Sequence, residues 1–111
     1  MAGILFVRIK SGLDAEEFER RLLERRPRFR EVPGLVQKIY GRDDATGHVC
    51  GIYFFESGEA LAAFRETELA RTIPTAYEAV DVRREAYEVL YPLWPERGPF
   101  TGVARVADAS R

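Results

Sequence analysis

The chain has 111 residues, 46% of them hydrophobic and 32% charged, with a net charge of −1. That is the size of one globular domain, and the near-neutral balance argues against a nucleic-acid-binding protein, which depends on a basic stripe. One cysteine, Cys50, and one histidine, His48, exclude an internal disulfide and a metal site built from cysteine and histidine within the chain.

The opening Met-Ala-Gly lacks the pattern of a secretory signal. No apolar run approaches the ~18 residues of a membrane helix, so no membrane partner and a cytoplasmic address are expected. Gly3–Lys10, GILFVRIK, reads as a first strand, apolar on both parities and therefore covered on both faces. Ser11-Gly12 breaks it. Asp14 then caps a helix, with Glu17 three residues on as in a capping box and Leu13 and Phe18 placed as a hydrophobic staple. Ala15, Phe18, Leu22 and Phe29 form its apolar stripe, and Pro27 is expected to end or bend it. Arg20, Arg21, Arg25, Arg26, Arg28 and Arg30 crowd its end; interleaved glutamates favour a solvated face over an anion-binding patch.

Leu35–Tyr40 and Val49–Phe55 read as two strands joined by Asp43-Asp44-Ala45-Thr46-Gly47, a turn of side-chain-bonding aspartates and a permissive glycine. Ser57 caps a second helix expected over Glu59–Glu68, with Leu61, Phe64 and Leu69 inward. Pro74 is expected to stop any continuation and to push Ile73 into extended geometry. A fourth strand follows in Ala79–Leu90. There Val80 and Val82 share one parity and Tyr87 and Val89 the other, which predicts a bulge near Arg84–Ala86. After Tyr91 the periodicity lapses. Ala104–Arg111 reads as loose, while Trp94 and Phe100 call for a surface to pack on.

The order β-α-β-β-α-β defines an α+β, ferredoxin-like domain over residues 1–92 with an irregular tail over 93–111. Helices cover one sheet face, and the apolar second face asks for a cover, most simply a second copy of the chain.

Pro33-Gly34-Leu35 leading to Lys38-Ile39-Tyr40, then Gly51-Ile52-Tyr53-Phe54-Phe55, Ala60-Leu61-Ala62 and Ala70-Arg71 resemble the YdhR-like monooxygenase family over about residues 4–92. That family belongs to the dimeric α+β barrel superfamily, with the antibiotic-biosynthesis monooxygenases. The resemblance implies a homodimer, a cavity between sheet and helices, and oxygenation of an aromatic or polyketide-like small molecule with no flavin, haem or metal cofactor. Other members of the superfamily isomerise, dehydrate or bind haem, so an isomerase or cyclase, and a haem protein with His48 as ligand, stand as alternatives. A dimer that only binds a small hydrophobic ligand stands beside them. Cys50 occupies a position where the family leads one to expect a small residue such as glycine.

No glycine-rich phosphate loop opens a helix and no nucleophile elbow accompanies a serine. What the residues offer is a phenol-rich interior. A four-residue loop over 44–47 sets Lys38 opposite Tyr53 and Tyr40 opposite Gly51. Val36, Lys38, Tyr40 and Arg42 then share a face with Tyr53, whereas Leu35, Ile39, Cys50, Ile52 and Phe54 form the other face. For a cofactor-independent oxygenase, His48 is the expected base and Tyr40 and Tyr53 the catalytic phenols that orient the substrate. Lys38, Arg42, Arg71, Tyr77 and Trp94 are the expected substrate-binding groups. Each has a plainer reading: an exposed histidine after a turn, strand-forming tyrosines in packing, a lysine snorkelling from an edge, surface arginines.

Overall fold

The first strand needs partners on both sides, and the chain supplies them. In a computed structural model that describes residues 1–100, β1 (Gly3–Ser11) lies between β3 (Val49–Phe55) and β4 (Ala79–Glu88), and β2 (Leu35–Arg42) forms one edge. The sheet is antiparallel with order β2-β3-β1-β4. Helix α1 (Ala15–Arg30) and α2 (Gly58–Arg65), with two short turns α3 (Glu68–Arg71) and α4 (Ile73–Ala76), complete the ferredoxin-like α+β order.

Helix α1 starts where the sequence places it: the Asp14 carboxylate accepts the Glu17 N–H at 2.8 Å. Glu17 does not complete a capping box, because its carboxylate takes Arg20 and Arg21 at 2.6–2.8 Å. The helix runs through Pro27 to Arg30. Proline leaves the Leu23 carbonyl without its helical donor, and Leu23 lies on the exposed side where water can reach it.

Three further expectations are corrected. The second helix stops at Arg65, and Thr67 recaps the chain into α3. Ile73 opens a helical turn rather than an extended segment, since Pro74 sits in the first turn, where its missing N–H has no helical acceptor to leave empty. The bulge in β4 lies at Val80, not Arg84–Ala86: Lys10 pairs with Asp81 and Ser11 with Ala79. Val82 therefore packs on the core while Val80 is 67% exposed.

The core lies between helices and sheet. Leu5, Val7 and Ile9 from β1, Tyr53 and Phe55 from β3, Phe18 and Phe29 from α1, and Leu61 and Phe64 from α2 are its buried members. Gly34, at φ +77°, brings β2 so close to α2 that a Cβ there would stand 2.5 Å from the Ala60 Cβ. A second bulge, between Leu35 and Gln37, turns Leu35 onto the core face opposite Phe55, the face that Tyr53 shares, correcting its expected place on the face opposite Tyr53. On that helix-free face, Phe100 packs edge-on against Phe54 with centroids 5.4 Å apart and adjoins Ala2, Ile4 and Val89. The chain's own tail thus supplies part of the cover. The assignment of Ala104–Arg111 as loose falls outside the described residues.

Candidate functional site

The β2–β3 hairpin carries the site, and its turn fixes the register. The Asp43 carboxylate accepts the N–H groups of Ala45 and Thr46, and the Asp43 N–H donates to the His48 carbonyl at 2.8 Å. The resulting ladder pairs Lys38 with Tyr53 and Tyr40 with Gly51, as the loop length predicts. Lys38, Tyr40 and Tyr53 consequently face α1 together.

Between them and the helices lies a cavity of about 250 Å³. Val7 and Ile9 line it from β1, and Phe18, Glu19 and Leu22 from α1. Lys38, Tyr40, Gly51 and Tyr53 come from the hairpin, and Ile73 and Tyr77 from the α3–β4 region. Arg42, Val49 and Cys50 border it.

The Lys38 ammonium sits among aromatic faces: Nζ is 3.5 Å from the Phe29 ring centroid, 4.4 Å from Tyr53 and 4.5 Å from Tyr40. Among the described residues it has no carboxylate within ion-pair distance. Burial pushes it down to about 7, and the nearby Arg25 charge adds in the same direction.

Gly51 makes room for this arrangement, because a Cβ there would stand 3.1 Å from both Lys38 Cε and Tyr53 Cε1. Burial also raises the phenols of Tyr53, Tyr77 and Tyr40. The neighbouring Tyr77 and Tyr40 hydroxyls push Tyr53 further in the same direction. The Tyr77 hydroxyl is buried without a hydrogen-bond partner.

The structure brings Tyr40, Tyr53, Tyr77 and Lys38 together, with Arg42 at the rim. It separates the other expected site residues. His48 lies in an adjoining hollow of about 310 Å³ with Lys10, Ser11 and Thr46. Arg71 borders a third hollow beside Arg84 and pairs with Glu66 at 2.9 Å. Trp94 is exposed in the tail, with the Arg97 guanidinium 4.3 Å over its ring.

Arg25 is the residue that sequence reading missed. It was grouped with a solvated face, yet its Nη2 donates to the Leu69 carbonyl at 3.0 Å and to Thr72 Oγ1 at 3.3 Å. Its guanidinium lies 5.6 Å from the Tyr77 ring centroid. The spacing Phe18, Leu22, Arg25, Phe29 is a continuous helical stripe, and that signal put Arg25 on the buried side.

Among the described residues no group of three or more His, Cys, Asp or Glu side chains converges as a metal site. No helix among them is long and apolar enough to cross a membrane.

Comparison with known proteins finds a family model described as "Putative mono-oxygenase ydhR" that matches residues 4–94. A search of curated proteins finds no match. Among solved structures, the chain is similar to SnoaB, a cofactor-independent oxygenase from Streptomyces nogalater. The identity is 16%, with 83% of this chain and 96% of that chain covered and a TM-score of 0.68. It is also similar to Rv0793 from Mycobacterium tuberculosis at 12% identity, covering 85% of this chain and 100% of that one, with a TM-score of 0.68. A dimeric ferredoxin-like protein from Thermobifida fusca shares 10% identity over 79% of this chain and 92% of that one, with a TM-score of 0.61. At these identities the likeness is one of fold.

Proposed function

The chain belongs to the ydhR mono-oxygenase family, and on that premise we propose that it oxygenates a small phenolic or enolic aromatic substrate without a cofactor of its own. The observation that carries this reading is the convergence of Tyr40, Tyr53, Tyr77 and Lys38 on one cavity between sheet and helices. The description of SnoaB as a cofactor-independent oxygenase supports it. A volume of about 250 Å³ stands just below the range of about 300–1,000 Å³ common for ligand pockets. It suits one or two rings rather than a large polycycle.

In this proposal the neutral Lys38 amine takes the substrate's acidic proton, a role that geometry favours over His48, which lies in the adjoining hollow. Electron density then collects on the substrate's ring carbon. That carbanion transfers electrons to O₂, the carbon–oxygen bond forms, and loss of water leaves a ketone or quinone. The buried phenols, held protonated by their raised pKa values, donate hydrogen bonds to the developing oxyanion. Arg42 at the rim meets the polar end of the substrate; Arg71 and Trp94 stand outside this cavity.

We propose further that two copies pair through the helix-free face. The dimeric state of the Thermobifida fusca relative supports this, as do Ile39 and Tyr87, about half exposed, and Leu90, Tyr91 and Leu93, more than 70% exposed.

The test is oxygen consumption with naphthols and other one- and two-ring phenols by metal-free protein. Product formation that falls at least tenfold in Lys38→Met and Tyr53→Phe supports the assignment. Saturable binding with no oxygen uptake across the panel would replace it with a binding role.

A further inference from the structure

The chain has only two lysines, Lys10 and Lys38, and the structure gives them opposite surroundings. Lys10 is exposed at the end of β1, whereas Lys38 turns inward from an edge strand. An inward lysine is ordinarily answered by a carboxylate. Here the one carboxylate lining the cavity, Glu19, makes no ion pair with it. The charged group nearest in effect is Arg25, a second cation.

We propose that Lys38 is a carbonyl-reactive amine, and that the cavity forms an imine with small aromatic aldehydes or ketones.

Three features of the geometry carry this. First, Lys38 lines the cavity and is half-buried rather than sealed in the core. Second, burial and a neighbouring cation are the two conditions that activate a lysine as a nucleophile. They leave Lys38 about half unprotonated near pH 7. Third, the rings of Phe29, Tyr40 and Tyr53 have centroids 3.5–4.5 Å from Nζ and make the surroundings of the amine aromatic. Faces that can stabilise an ammonium also stabilise the iminium that follows.

The reaction needs no oxidant. The Nζ lone pair forms a bond to the carbonyl carbon, the amine gives up its two hydrogens, the carbonyl oxygen leaves with them as water, and a carbon–nitrogen double bond remains. Uptake of a proton from solvent gives the iminium. The groups around Lys38 that could alter its titration are Tyr40, Tyr53 and Arg42 from the sheet, Glu19, Arg25, Arg26 and Arg30 from α1, and Tyr77.

The proposal does not depend on oxygen chemistry and is tested without it. Full-length protein is incubated at pH 7 with 2-naphthaldehyde and cyanoborohydride, which reduces an imine to a stable secondary amine. The adduct is then located by peptide mass. At pH 7 an amine titrating near 7 has on the order of a thousandfold more free base than an ordinary lysine.

Even after its lower intrinsic nucleophilicity, Lys38 should label at least tenfold faster than Lys10. Its rate should saturate with aldehyde concentration, while the rates at Lys10 and the Met1 amine stay linear. Half-maximal labelling of Lys38 should fall near pH 7. Lys38→Arg, which keeps a cation, should abolish the saturable adduct, and Lys10→Arg should not. Equal labelling of the two lysines, or an unmodified Lys38, overturns the proposal. Because the wild-type peptide map reads this directly, a variant that fails to fold does not rescue it.

Discussion

Replacing Lys38 by methionine should change how stability depends on pH, and the size of the change follows from the desolvation of one ammonium. An unfolded lysine titrates near 10.4, and the folded one is pushed down to about 7. Between these values the unfolded chain holds a proton that the folded chain has released, so stability rises with pH across that window. Below pH 7 both states are protonated and the cost of burying the charge is constant.

Each pH unit of full proton difference contributes about 1.36 kcal/mol. From pH 7 to 9, allowing for the half-titrated folded state at the start, the wild type should gain about 2 kcal/mol relative to Lys38→Met. Urea unfolding at pH 7, 8 and 9 and one protein concentration measures it. Tyrosine ionisation in the unfolded chain is common to both proteins and cancels in the difference. Parallel stability curves would mean that the folded protein keeps Lys38 solvated and charged, and the reasoning about a free amine in the cavity would fail with it.

Other substitutions probe the frame around the cavity. Gly34→Ala combines a φ of +77° with a Cβ 2.5 Å from the Ala60 Cβ and should cost about 2–4 kcal/mol, seen as a lower urea midpoint. Gly51→Ala meets Lys38 Cε and Tyr53 Cε1, each at 3.1 Å. It should cost about 1 kcal/mol and weaken naphthol binding more than it weakens the fold, which calorimetry and urea titration together resolve. Deleting Val36, the extra residue between the Leu35–Phe55 and Gln37–Phe54 pairs, should straighten β2 while leaving Lys38 opposite Tyr53. Loss of Lys38 labelling by aldehyde in a folded deletion variant would show that the bulge itself sets the lysine's position.

Much of the architecture was legible because local signals agreed. Asp14, Ser57 and the Asp43–Gly47 turn each made the backbone bonds their chemistry predicts. The loop length alone set the Lys38–Tyr53 register. The failures share a cause: each depended on which partners compete for a side chain, near or far, which the local pattern does not rank. Glu17 had two arginines competing for its carboxylate. Arg25 found carbonyl and hydroxyl acceptors 44 and 47 residues away, and only its place on the Phe18, Leu22, Phe29 stripe distinguished it from Arg26.

The site itself turns on a departure from strand periodicity that alternation cannot reveal. In a regular β2, Leu35 facing the core would put Gln37 and Ile39 inward, with Lys38 and Tyr40 on the opposite face. The bulge between Leu35 and Gln37 lets Leu35 meet Phe55 in the core while Lys38 and Tyr40 also face α1. An apolar residue that seals the core and a polar pair that lines the cavity are thus served by one strand at the cost of a single unpaired residue. The bulge sits on the edge strand, where only β3 must accommodate it. On a central strand the same insertion would break two ladders. The turn sets Lys38 inward opposite Tyr53, and the bulge at the far end of the edge strand lets Leu35 join the core beside it.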